Sequence, residues 1–239
     1  MLTLHELGRR LGRRQIERDP EGPSAGVIDG AVFGLLGLLV AFTFSGAASR
    51  FDARRQLVVE EANAIGTAWL RLDLLPSGDQ PALRDLFRSY LDSRLDVYRS
   101  IPDLEAVKQA LARGVALQGE IWSRAVAACQ TADGQKAIVV LLPALNEMID
   151  ITTTRTMAAR MHPPSVIFAL LIALGLVCAL LAGYATAGGK QRHWTHALGF
   201  SATIAVTVYV ILDLEYPRLG LIRVDAADQV LLELRESMQ

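Results

Sequence analysis

The sequence predicts an all-α integral membrane protein with three transmembrane helices and an inserted four-helix extramembrane domain. Three observations predict it. Residues 30–49, 163–189 and 197–212 contain no Asp, Glu, Lys, Arg or His, in runs of 20, 27 and 16 residues. A bilayer core about 30 Å thick takes roughly 20 residues of helix at about 1.5 Å each. The 113 residues from 50 to 162 instead balance 14 basic against 14 acidic side chains and repeat apolar residues every three to four positions, the period of helices with one buried face. The only strand-like run is Leu221–Val224. Totals alone are uninformative, because 51% apolar residues and a mean hydropathy of +0.30 are close to those of a soluble domain. The net charge of −1 gives no bulk attraction for nucleic acid.

Residues 1–26 read as a basic arm carrying Arg9, Arg10, Arg13, Arg14 and Arg18, with residues 1–18 too charged to span a bilayer. The first span is 27–49. Twin arginines precede it and Gly46-Ala47-Ala48 resembles a cleavage site, but its 20 uncharged residues exceed the core of a signal peptide, so the span is expected to be retained. Gly30, Gly34 and Gly37 form a small-residue stripe expected to pack helices, since small side chains let backbones approach closely in lipid. Residues 163–212 form a transmembrane hairpin that starts after Pro163-Pro164 and turns through Gly188 to His193. Trp194 and Tyr209 are rings suited to the interfaces.

Seven basic residues (the five in the arm, with Lys190 and Arg192) lie on one side of the spans and eight on the other: Arg50, Arg54, Arg55, Arg155, Arg160, Arg218, Arg223 and Arg235. Long segments are discounted in the positive-inside rule. Without segment 50–162 the count is seven against three and places the N-terminus inside.

Within 50–162, the first helix runs from Asp52 to Leu75 with no breaker separating it from the first span, which predicts one helix of about 45 residues, roughly 70 Å long. The second starts near Pro81. The third follows Asp103, a suitable N-cap, and the fourth runs from Ile138 to about Met161 with Pro143 as a kink. The tail, 213–239, ends in a short amphipathic helix with Val230, Leu231 and Leu234 on one face, suited to covering a groove or touching a neighbouring subunit.

Catalytic signatures are absent: there is no H-E-x-x-H, C-x-x-C or G-x-S-x-G motif. The chain is expected not to be an enzyme and to carry no cofactor or metal. His193 and His196 share a helical face but have no further ligand nearby in sequence. Three polar groups stand out. Glu60, Glu61 and Asn63, with Arg71, can face Asn146, Glu147, Asp150 and Arg155 if the first and fourth helices pack antiparallel. Buried charges need partners, so these residues read as an inter-helix network or, alternatively, a polar vestibule. Asp213, Glu215 and Arg218 lie where the third span ends, either as the mouth of an ion path or as a cap on the helix.

Three stretches carry a family resemblance: residues 54–76, from Arg54-Arg55-Gln56 to Leu74-Leu75-Pro76; Leu145-Asn-Glu-Met-Ile-Asp150; and Asp213-Leu-Glu-Tyr-Pro-Arg-Leu-Gly220. They resemble the bestrophin-like family of uncharacterised bacterial membrane proteins, over about residues 27 to 225. The resemblance implies an oligomeric membrane protein that passes small ions, anions by analogy with bestrophins, in the bacterial inner membrane with several spans. It also implies a cytoplasmic helical domain, opposite to the charge count. Three spans cannot easily enclose a pore, so the expected partners are the lipid bilayer, further copies of the chain and small ions. Phe33, Phe42, Thr43 and Phe44 are the constriction candidates. The alternative is a non-conducting scaffold or sensor whose helical domain binds a partner.

Overall fold

The computed structural model describes residues 1–19, 26–189, 194–222 and 224–238. Their regular structure is helical: α1 (Leu2–Arg18), α2 (Gly26–Arg71), α3 (Gln80–Arg99), α4 (Leu104–Cys129), α5 (Ile138–Arg160), α6 (Ser165–Ala185), α7 (Trp194–Glu215) and α8 (Asp225–Ser237). Short 3-10 turns at Leu72–Leu74 and Gln135–Ala137 join α2 to α3 and α4 to α5. No strand forms at the described positions Leu221, Ile222 and Val224. Lys190, Arg192, His193 and Arg223, used in the charge count or as a ligand candidate, lie outside the described residues.

The chain divides into two compact units, Met1–Ser49 with His162–Glu215, and Arg50–Met161 with Tyr216–Gln239. Helix α2, 46 residues long, contributes to both, since no Gly-Pro or polar breaker interrupts it between Gly26 and Arg71.

In the first unit, α1 lies along α6, and α2 and α7 complete the bundle. The basic arm is therefore a helix. It is held by backbone proximity rather than by large side chains. A Cβ added at Gly8 would collide with the Leu180 carbonyl, one at Gly12 with Tyr184 and Ala187, and one at Gly183 with the His5 carbonyl. Gly8 and Gly12 form the small-xxx-small pair that packs within the chain. Gly30, Gly34 and Gly37 do not, for a Cβ added at any of them meets nothing within 4 Å. Three helical stretches, within Gly26–Leu74, Gln135–Ala185 and Trp194–Glu215, are long and apolar enough to cross a membrane, and most of each apolar window is left uncovered by the chain.

In the second unit, the C-terminal part of α2 packs with α3, α4, α5 and α8 around one core. Ile65, Leu72, Phe87, Tyr90, Leu91, Ile121, Leu141, Leu145 and Met148 are fully buried there. Pro81 sits in the first turn of α3, where its missing N–H has no helical partner to lose. Asp103 caps α4 by accepting from the backbone N–H groups of Glu105 and Ala106. Pro143 lies inside α5 and removes a helical donor; nearby, Arg71 Nη1 donates to the Val140 carbonyl at 2.5 Å. Helix α8 covers a groove of its own unit. Leu231 is fully buried, Arg235 makes a two-point pair with Asp92 at 2.8 and 3.2 Å, and Arg88 donates to the Met238 carbonyl at 2.7 Å.

Candidate functional site

In the first unit α2 presents a face that the described residues leave bare. Leu36 and Ala47 are buried, while Gly30, Ala31, Gly34, Leu35, Gly37, Leu38, Ala41, Phe42, Ser45 and Ser49 are exposed. Much of that face is small. The exposed positions of α6 and α7 mix large apolar groups, such as Val166, Leu170, Ile172 and Val177 on α6 and Leu198, Val206 and Tyr209 on α7, with small ones, such as Ala169, Ala173, Gly199, Ala202 and Ala205. Large aliphatic groups suit contact with lipid tails, whereas a bare face of small residues suits close approach by another helix.

Of the four constriction candidates, only Phe42 and Phe44 are exposed. Phe42 is the most exposed, at 69%, and Phe44 follows at 43%. Phe33 turns towards α7, where its ring meets Phe200 edge-on with centroids 5.9 Å apart. Thr43 is half-buried, and its hydroxyl donates back to the carbonyls of Leu39 and Val40 at 2.8 and 3.0 Å.

Asp213 and Glu215, at the end of α7, are buried, Glu215 with no accessible surface. His162 Nδ1 and Glu215 Oε1 are 2.9 Å apart. This arrangement ties the start of the hairpin to its end, the geometry of a fastened helix terminus. Arg218 forms a two-point pair with Asp228 in the second unit, at 2.8 and 3.0 Å.

The buried charge of the second unit centres on Glu61, which has no accessible surface. Arg94 Nε donates to one of its carboxylate oxygens at 2.5 Å, and Arg155 Nη1 donates to the other. Arg94 also donates to the Tyr98 hydroxyl at 3.1 Å. Above the Tyr98 ring lie the guanidinium groups of Arg155, 4.5 Å away, and Arg218, 4.4 Å away, in cation–π range. Burial pushes the Tyr98 phenol up to about 12, outweighing the downward pull of Arg94 and Arg218.

Of the polar network expected from sequence, only Glu61 and Arg155 meet. Glu60, Asn63, Asn146, Glu147 and Asp150 are exposed, Glu60 accepting from Gln56, and Arg71 serves the α5 backbone. Spacing on α2 and α5 had no means of finding Arg94 and Tyr98, which come from α3. Their four-residue separation on one helix face was the only local signal.

Fold and composition together define a helical membrane protein. The Bestrophin-like domain matches residues 3–228, and the chain belongs to the bestrophin-like family. Solved structures agree in fold. A variant of a bacterial bestrophin homologue from Klebsiella pneumoniae superposes with a TM-score of 0.75 at 12% identity, covering 99% of this chain and 93% of that one. A second structure of a Klebsiella pneumoniae homologue, phased on zinc, gives 0.73 at 14% identity, covering 98% and 97%. A further crystal structure described only as a membrane protein gives 0.75 at 14% identity, covering 99% and 96%. Among proteins with curated descriptions none matches the chain.

Proposed function

We propose that the chain is one subunit of a homo-oligomeric ion channel, with the bare face of α2 turned towards its neighbours and a shared pore. The spans α2, α6 and α7 cross the bacterial inner membrane, and the second unit is the extramembrane helical domain. The observation that carries this reading is the glycine stripe exposed on α2. Gly30, Gly34 and Gly37 follow one another along an exposed face of α2, and each leaves open space where a side chain would stand. A helix with small residues on its free side is built for contact with protein, and the described residues supply none there. Family membership supplies the expectation of conduction, with anions as the first ions to test.

In this reading Phe42 and Phe44 narrow the path, and Phe33 and Thr43 stay within the subunit. Glu215, paired with His162, and the buried Asp213 serve as a helix-end tie rather than as a mouth. Purified protein in liposomes should pass ions, and Phe42→Ala should change the rate several-fold. Liposomes that stay silent, although the protein in them is correctly assembled, would refute conduction and favour a membrane-anchored scaffold. Labelling of single cysteines placed in 100–130 reports which side the helical domain faces.

A further inference from the structure

The first unit contains a cavity of about 560 Å³ among α1, α2, α6 and α7. Its lining divides by chemistry. His5 and Arg9 from α1 and His196 from α7 are polar or cationic, whereas Phe33, Trp194 and Phe200 are aromatic. Arg9 is only 6% exposed. Glu6 also lines the cavity, but Arg10 pairs with it at 3.3 Å. Arg9 brings a second basic side chain from α1 to the same wall, beside His5.

The position of the cavity follows from the chain path. It gathers the beginning of α2, the end of α6 and the beginning of α7, the termini of apolar helices at one end of the bundle. Phe33 lies seven residues into α2 and Phe200 six residues into α7, so the aromatic wall reaches roughly 10 Å along the apolar helices at about 1.5 Å per residue. The cavity is thus cationic near the helix ends and apolar further in. Helix α1 adds to the bias, with five Arg against two Glu in its sequence. An apolar wall leading to a buried guanidinium matches an amphiphile with an anionic head, and basic pockets between membrane helices are suited to lipid phosphates. Arginine favours a phosphate because its donors form a planar fork.

We propose that this cavity holds a phospholipid, its phosphate on Arg9 with His5 and His196 beside it and the upper part of an acyl chain against Phe33 and Phe200. The inference rests on the membrane placement of α2, α6 and α7 proposed above and is independent of conduction. Neither the bare glycine stripe of α2 nor the Glu61 cluster takes part in it.

The test uses the full chain in detergent, delipidated and then offered dioleoyl phosphatidylglycerol, dioleoylglycerol or sodium phosphate, with bound species counted by native mass spectrometry. Phosphatidylglycerol should be retained about tenfold better than dioleoylglycerol, the worth of a single charge-assisted contact. Arg9→Gln should reduce its retention to the dioleoylglycerol level, and Arg18→Gln, on the exposed part of the same helix, should not. Equal retention of the two lipids by the unaltered protein would overturn the proposal without any variant, should Arg9→Gln fail to fold. Saturation by sodium phosphate alone would also overturn it, assigning the cavity to a free anion. Release of the chain from membranes by a salt wash would refute the membrane placement itself, a different failure from a membrane-held chain that ignores the lipid phosphate.

Discussion

Replacing Glu61 with Gln tests the central contact of the second unit. The carboxylate has no accessible surface, and the side chains of its partners Arg94 and Arg155 are 4% and 7% exposed. At an effective dielectric near 20, each pair of charges about 4 Å apart attracts by ~4 kcal/mol, so the two pairs give ~8 kcal/mol gross. Desolvation of three charges offsets much of this. Removing the anion alone leaves two guanidinium groups buried side by side, a loss of about 3–5 kcal/mol. For a chain of this size each kcal/mol moves the melting temperature by roughly 2–4 °C, so Glu61→Gln should melt roughly 6–20 °C lower. The assay is loss of the monodisperse size-exclusion peak on heating in detergent. Glu60→Gln, one residue away and exposed, should stay within ~0.5 kcal/mol of the unaltered protein. Replacing Glu61, Arg94 and Arg155 together with Leu and Met should recover most of the loss, because an apolar substitute for a buried ion triad is often no less stable. A Glu61→Gln protein that melts within about 2 °C of the original would refute the argument that this carboxylate is buried between two cations.

Tyr98 gives a pH test. Its phenol is raised from 10 to about 12, so the folded state holds its proton more tightly than the unfolded state. That stabilisation is complete below pH 10 and is lost as pH rises from 10 through 12, by at most ~2.7 kcal/mol at 1.36 kcal/mol per pH unit. Tyr98→Phe should flatten this part of the alkaline melting curve, and parallel curves for the two proteins would contradict the assignment. Gly183→Ala places a methyl group against the His5 carbonyl and should cost ~1–3 kcal/mol as an overpacking change, read as faster proteolysis of α1. Equal cleavage rates would show that α1 is not docked on α6. Gly34→Leu fills space that the chain leaves empty, so the single chain should tolerate it while the oligomer does not. A smaller particle by light scattering is expected, and an unchanged mass would remove Gly34 from any subunit contact.

What the sequence determined by itself was what repeats or what bonds locally. Uncharged runs mark the apolar helices because a bilayer imposes a length, and the 46-residue α2 follows from the lack of a breaker between Gly26 and Arg71. Asp103 caps α4 through bonds two and three residues away, which a linear reading can see. The bestrophin-like resemblance came from short stretches in α2, α5 and the region after α7, and the family match extends over most of the chain.

Only the tertiary structure decided which similar-looking residues are used. Gly8 and Gly12 have the same spacing as Gly30 and Gly34, but only the first pair meets a backbone, because α6 lies on that side. Glu60 and Glu61 are adjacent in the chain, yet one residue of helix turns them about 100° apart, and α3 delivers Arg94 to Glu61 alone. The arm at residues 1–18 is too charged to look like part of a helix bundle, but its charge is distributed around a glycine seam that docks on α6. Periodicity records which face of a helix is apolar. It does not record which partner arrives there, since that depends on contacts between residues far apart in the chain.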